Sequence, residues 1–135
     1  VLVIDSSAIV AMMLDEPGAE ALAARLAAAP RGARVISAVN YVEAGTVLAG
    51  RRRDPYQGVA DLDAFLETFG VGVAALDEQT ARAALQARVR FGKGFGAPAG
   101  LNFGDCFAYA LAKTLAAPLL FVGDDFGDTD IATAL

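Results

Sequence analysis

Short, unbroken apolar runs alternate along the chain with longer stretches whose apolar residues recur at helical spacing. Val1-Leu2-Val3-Ile4 comes first, rich in β-branched residues and without a polar position, the pattern of a strand buried on both faces. Asp5-Ser6-Ser7 supplies helix-capping side chains, and Ala8–Leu14 reads as a helix broken by Glu16-Pro17-Gly18. Ala19–Ala29 is an alanine-rich helix ended by Pro30. Arg34-Val35-Ile36 predicts a second strand, and Ser37 caps a helix over Ala38–Ala49. Asp54-Pro55 breaks the chain again, and Leu62, Phe65, Leu66 and Phe69 share one face of a helix over Val59–Phe69. Val71–Leu76 predicts a third strand, Asp77 caps a helix over Glu78–Arg90, and Gly92–Gly100 is a glycine-rich loop. A helix opened by Leu101 or Asn102 runs to Ala116. Leu119–Val122 is a fourth buried strand, ended by Gly123-Asp124-Asp125-Phe126. Apolar strands alternating with helices predict a parallel sheet covered on both faces, in one α/β domain over residues 1–135.

Composition narrows the chemistry more than the fold. The chain has no His and one Cys. An imidazole acid/base is therefore excluded, with every Ser-His-Asp or Cys-His system, and one thiol cannot build a Cys/His zinc site or a disulfide framework. A hydrolase with this composition must work with carboxylates and a hard metal ion. The longest apolar run, Ala8–Leu14, falls short of the ~20 residues of a bilayer span, so no membrane partner is expected. The N-terminus lacks a basic region and a small-residue cleavage site, so no signal peptide is expected and the cytoplasm is the expected location. The net charge of −5 counts against a nucleic-acid partner.

The position of the acids qualifies that last point. In a parallel α/β sheet, ligands bind outside the carboxyl ends of the strands. Asp5 ends the first predicted strand, Asp124 and Asp125 end the fourth, and Asp105 lies in the first turn of its helix. Glu43 lies in the second turn after Ser37, on a helix face with Val39, Val42, Thr46 and Val47, where an unpaired carboxylate is costly. Each of Asp5 and Asp105 alone reads equally as a helix cap or a dipole partner. Together the four acids reach one edge of the sheet. Clustered carboxylates repel, and Mg²⁺ or Mn²⁺ resolves that conflict while activating water for phosphoryl transfer. Ser6 and Ser7 can donate to carboxylate or phosphate oxygens, and Gly104 and Gly123 leave room for close approach.

Val3-Ile4-Asp5-Ser6-Ser7-Ala8, Asn40-Tyr41-Val42-Glu43, Leu101-Asn102-Phe103-Gly104-Asp105-Cys106-Phe107-Ala108-Tyr109-Ala110 and Leu120-Phe121-Val122-Gly123-Asp124-Asp125-Phe126 carry a family likeness. They resemble PIN-domain ribonucleases, most closely the VapC toxins of bacterial VapBC toxin–antitoxin pairs, over nearly the whole chain. The resemblance implies a PIN-like three-layer α/β/α sandwich with a four- to five-stranded parallel sheet. It also implies a Mg²⁺- or Mn²⁺-dependent endoribonuclease toxin that cuts tRNA or other structured RNA, leaving a 5′-phosphate and a 3′-hydroxyl. A cognate VapB-like antitoxin and a homodimer are the implied partners. Carried over by position, Asp5 and Asp105 are the principal metal ligands, Glu43 completes the acidic triad, and Asp124 is a fourth acid, with Asp125, Asp128 and Asp130 as alternatives. Ser7 is expected beside metal-bound water or phosphate.

Other features carry less. Arg51-Arg52-Arg53 at a helix C-terminus suits the helix dipole and equally an RNA phosphate grip joined by Arg88, Arg90 and Lys93. Phe91–Gly100 reads as a flexible loop that shapes an RNA groove or simply connects two helices. Cys106, Phe103, Phe107, Tyr109 and Leu111 read as packing residues. Met12, Met13 and Leu14 are candidates for a dimer or antitoxin surface. Two other functions fit parts of the chain: a PIN-like module that binds RNA or a protein without cutting, and a phosphatase with an aspartyl nucleophile. The second wants an acid two residues after Asp5, where Ser7 stands.

Overall fold

The computed structural model describes all residues, 1–135. Strands β1 (Leu2–Ile4), β2 (Arg34–Ser37), β3 (Val71–Ala74) and β4 (Leu119–Leu120) form one sheet in the order β3-β2-β1-β4, every pair parallel. Helices α1 (Ser6–Met13), α2 (Ala19–Ala28), α3 (Ala38–Gly50), α4 (Pro55–Phe69), α5 (Glu78–Phe91) and α6 (Phe103–Thr114) make the connections. The C-terminal tail returns beside β4, where the Leu119 N–H donates to the Ala132 carbonyl and the Ala134 N–H to the Leu119 carbonyl. That single parallel bridge, Leu119 to Thr133, is a rudimentary fifth strand. The sheet thus has the lower of the two expected strand numbers.

Alternation along each strand divides the interior in two. Leu2 and Ile4 join a core with Ile9, Leu22, Leu26, Leu48 and Leu62, supplied by α1 to α4. Val3 between them joins the opposite core, with Phe91, Leu101, Tyr109 and Leu111. All three β1 side chains are at most 1% exposed, which is why the strand reads as an unbroken apolar run. The result is the three-layer α/β/α arrangement, and each fully buried leucine or isoleucine contributes roughly 1.5–3 kcal/mol. No helix is long and apolar enough to cross a membrane.

Several boundaries depart from the sequence pattern for local reasons. Helix α4 begins at Pro55, not Val59, because Asp54 accepts the Tyr56 N–H at 3.0 Å and proline suits the first helical position. The dipeptide that looked like a breaker is a helix start. Helix α1 begins at Ser6 with Asp5 itself as N-cap. Strand β4 stops at Leu120 because the Val122 N–H turns to the Ser7 hydroxyl. Strand β3 stops at Ala74, leaving Leu76 outside the sheet and 43% exposed. The glycine-rich loop is pinched at its base: the Lys93 N–H donates to the Leu101 carbonyl and the Leu101 N–H to the Phe91 carbonyl, each 2.8 Å. It is therefore a closed loop with a fixed mouth.

Arg34 is more than a strand residue. It is 7% exposed, and its guanidinium donates to the carbonyls of Ala27, Ala29 and Phe69. Arg31 donates to the carbonyls of Glu67 and Thr68. The two arginines satisfy carbonyls at the C-terminal ends of α2 and α4 that the helices cannot bond internally.

Candidate functional site

Because all strands run parallel, the ends of β1, β2 and β4 meet at one edge, and the N-terminus of α6 reaches the same edge. Five of the seven buried polar or charged residues gather there: Asp5, Ser6, Ser37, Asn40 and Asp105. Asp5 follows β1, and its Oδ2 accepts the Ser7 N–H at 3.0 Å and the Ser7 hydroxyl at 2.5 Å. Ser7 in turn accepts the Val122 N–H at 3.0 Å, which ties the chain beyond β4 to the first acid. Asp105 sits in a capping box at the start of α6, accepting the Asn102 N–H at 3.1 Å while its own N–H donates to Asn102 Oδ1 at 2.9 Å.

Glu43 is held by its neighbours through one oxygen. Its Oε1 accepts a short hydrogen bond from the Ser6 hydroxyl and one of 3.1 Å from Asn40 Nδ2. Asn40, fully buried, also donates to the Gly104 carbonyl at 3.0 Å and accepts from the Ser37 hydroxyl at 2.5 Å. It bridges α3 to α6 and fixes Glu43 between them. The other oxygen, Oε2, lies against Gly104, where a Cβ would sit 2.0 Å away. Only glycine leaves room for that carboxylate.

Burial and mutual repulsion govern the charges. Burial pushes the Asp5 carboxyl up, against the opposing hydrogen bonds from Ser7, and the nearby Glu43 charge adds to the rise. Asp105 rises from 3.8 to about 7, chiefly by burial, then through the charges of Asp5, Asp125 and Glu43. Asp5 Oδ1 is buried with no hydrogen-bond partner. As they stand, no three Asp, Glu or Cys side chains enclose a common point at ligating distance. The edge therefore offers two desolvated carboxylates, one orphaned oxygen and a third acid beside them. That donor set suits a hard cation, which would relieve both the repulsion and the orphaned oxygen, and Mg²⁺ commonly takes one or two carboxylates while keeping waters.

The PIN domain family matches residues 2–132. The chain belongs to this family. Ribonuclease VapC28 of Mycobacterium tuberculosis is 46% identical over 134 residues, covering 99% of this chain and 98% of that protein. Among solved structures, VapC20 of Mycobacterium tuberculosis, a sarcin–ricin loop cleaving toxin, superposes with a TM-score of 0.76 at 15% identity, covering 98% and 97% of the two chains. A toxin–antitoxin complex from Klebsiella pneumoniae gives 0.72 at 17% identity, covering 100% and 98%. At such identities these two structures speak for the fold alone.

Within this PIN domain the residues expected at the site divide into two groups. Asp5, Glu43 and Asp105 come together, with Ser7 positioning Asp5 rather than pointing its proton outward. Of the acids after β4, all of them exposed, Asp125 is the one whose charge acts on Asp105. Asp130 is engaged elsewhere, accepting from the Tyr109 hydroxyl and from Lys113 Nζ at 3.2 Å, one and two turns along α6 from Asp105. The valines flanking Glu43 are not a core stripe: Val42 is 63% exposed, and α3 buries Asn40, Ala44 and Leu48 instead. They border a hollow of about 680 Å³ whose lining includes Val39, Val42, Leu76 and Phe103 together with Glu43 and Gly104.

The basic residues scatter. Arg51, Arg52 and Arg53 lie at the far end of α3, about 12 Å along its axis from Glu43 at 1.5 Å per residue. Arg52 pairs with Asp61 at 2.9 Å, and Arg51 and Arg53 are exposed. Arg88 donates to the Lys93 carbonyl at 3.0 Å and holds the glycine-rich loop shut, while Arg90 covers the Phe91 ring. Lys93 is exposed on that loop. Met12, Met13 and Leu14 pack against the core and leave the exposed apolar surface to Val42, Leu76, Leu85, Val89 and Phe103. Asn40 is the site residue that sequence reasoning missed. Its signal is the spacing, three residues after the Ser37 cap and three before Glu43 on the buried side of the helix.

Proposed function

We propose that this PIN domain is an endoribonuclease toxin of the VapC type, dependent on Mg²⁺ or Mn²⁺. The observation that carries the reading is Asp5 Oδ1, a buried carboxylate oxygen without a partner, beside a second carboxyl raised to about 7. A protein keeps such an arrangement at a cost of several kcal/mol only where a cation or a reaction uses it. Asp5 and Asp105 would hold the cation, which when bound lowers the pKa of water and stabilises the charge of an in-line phosphoryl displacement. Glu43, oriented through Oε1 by Ser6 and Asn40, keeps Oε2 free to accept a proton from the attacking water. Ser7 holds Asp5 in place, and the field of Asp125 at Asp105 favours it over Asp124 as the fourth acid. Arg51, Arg53 and Lys93 provide exposed positive charge for RNA phosphates.

The substrate class we propose is structured RNA, with tRNA as the first candidate, and the compartment is the cytoplasm. A VapB-like antitoxin is the partner that the likeness to VapC ribonucleases implies. A homodimer is supported by Leu85 and Val89, one turn apart on α5 and 66% and 56% exposed. The test is cleavage of purified total tRNA with Mg²⁺, with Mn²⁺ and with EDTA, by the parent and by Asp5→Asn and Asp105→Asn. Loss of cutting in EDTA and in both variants is expected; cutting that survives both substitutions ends the metal-site reading. A parent that binds RNA and never cuts it leaves a binding module.

A further inference from the structure

We propose that the hollow between α3 and α6 receives a nucleobase adjoining the phosphodiester that is cut, with Phe103 as its stacking surface. The inference rests on the ribonuclease reading and deepens it. Its first support is position. The lining of the hollow includes Glu43 and Gly104, the two residues that touch across the acidic edge, and Phe103 stands two residues before Asp105. A nucleotide whose phosphate lies at the acids therefore has this recess as its neighbour.

The second support is charge. No Lys or Arg lines the hollow, and Glu43 is the one charged residue in its lining. A second phosphate or an acidic peptide would meet repulsion there, whereas a nucleobase is neutral and flat. The third is the state of Phe103 itself. Tyr109, its neighbour in the same helix, is 7% exposed, but Phe103 leaves 66% of its surface in solvent. The ring is still held, edge to face with Phe107 at 5.0 Å and 67°, so it presents an oriented surface rather than a loose side chain. Val39, Val42 and Leu76 complete an apolar recess with few groups that could read a base edge. Stacking of this kind accepts any base, so the recess adds affinity and register rather than sequence choice.

The test uses Asp5→Asn protein, chosen so that the probe stays uncut, and two fluorescent probes. One is a short mixed-sequence oligoribonucleotide; the other is the same sugar–phosphate chain with abasic residues. Adding Phe103→Ala is expected to weaken the intact probe roughly tenfold or more and to leave the abasic probe unchanged, while Phe103→Trp keeps the intact affinity. Because the ring is mostly exposed, the alanine variant should keep the parent melting temperature. Equal weakening on both probes, no weakening on the intact probe, or no binding of either probe overturns the proposal. So does a change confined to self-association in sedimentation, which would make the recess a contact between copies. Base-dependent binding by a protein that leaves RNA intact with Mg²⁺ and Mn²⁺ refutes the ribonuclease reading and spares the recess.

Discussion

Asp105→Asn should make the metal-free protein more stable while ending its activity. In the folded chain the Asp105 carboxyl is raised from 3.8 to about 7, first by burial and then by Asp5, Asp125 and Glu43. Between those values the folded state keeps a proton that the unfolded chain releases, so stability falls as pH rises through the window and the loss is complete above about 7. At 1.36 kcal/mol per pH decade the full shift would amount to roughly 4 kcal/mol; solvent screening at this open edge brings the expected penalty to about 2 kcal/mol, most of it developing between about pH 5 and about pH 8. For a chain of this size that corresponds to about 6 °C in melting temperature. Asparagine removes the charge and retains an oxygen to accept the Asn102 N–H. The assay is thermal unfolding in EDTA across that pH range, for parent and variant, repeated with Mg²⁺. The parent should melt progressively lower toward pH 8, the variant should change less, and Mg²⁺ should restore the parent more than the variant because it binds only the folded acids. A parent whose melting temperature is level or rises with pH in EDTA, or a variant no more stable than it at about pH 8, refutes the claim that desolvated, mutually repelling carboxylates dominate this edge.

Five further substitutions separate the roles of neighbouring residues. Gly104→Ala places a Cβ 2.0 Å from Glu43 Oε2 and should slow RNA cleavage by about a hundredfold, with circular dichroism unchanged; an unaltered rate would show that Glu43 placement is immaterial. Asn40→Ala strands the Gly104 carbonyl and the Ser37 hydroxyl, so urea unfolding should show a loss of about 2–3 kcal/mol alongside the loss of activity. Asp125→Asn should shift the pH midpoint of Asp105 downward by NMR titration of the metal-free protein, while Asp130→Asn should leave that midpoint and the cleavage rate in place; the reverse pattern would move the fourth acid to Asp130. Arg34→Leu leaves the carbonyls of Ala27, Ala29 and Phe69 without their donor and should cost about 3 kcal/mol in urea unfolding without changing the residual folded-state cleavage chemistry.

How legible the protein was depended on the range of the interaction. The buried strands were readable because a strand covered on both faces needs an unbroken apolar run, as Leu2-Val3-Ile4 shows. Caps were readable where side chain and backbone partner lie within three residues, as at Ser37, Asp77 and Asn102. Asp54-Pro55 was misread because the same two residues suit a turn and a helix start, and only the packing that follows decides between them. The roles of Asn40 and Arg34 were hidden because their partners lie up to 64 and 35 residues away. The orientation of α3 was inverted for a related reason. Its valines looked like core, but the inward face is taken by Asn40, Ala44 and Leu48, which meet α6 and α4.

By itself the sequence determined the kind of protein and narrowed the chemistry open to it. Its alternating apolar runs require a covered parallel sheet, and a chain without His and with a single Cys leaves carboxylates and a hard cation for hydrolysis. The gathering of Asp5, Glu43 and Asp105 followed from the same pattern, because parallel strands deliver their carboxyl ends, and the first two turns of the helices beside them, to one edge. Only the tertiary structure decided what that edge is made of. It left Asp5 Oδ1 without a partner, seated Glu43 against Gly104, drew in the charge of Asp125 rather than Asp130, and turned Phe103 outward beside them. Each of those outcomes depends on desolvation and on contacts between distant segments, and neither quantity exists until the chain has closed around its two cores.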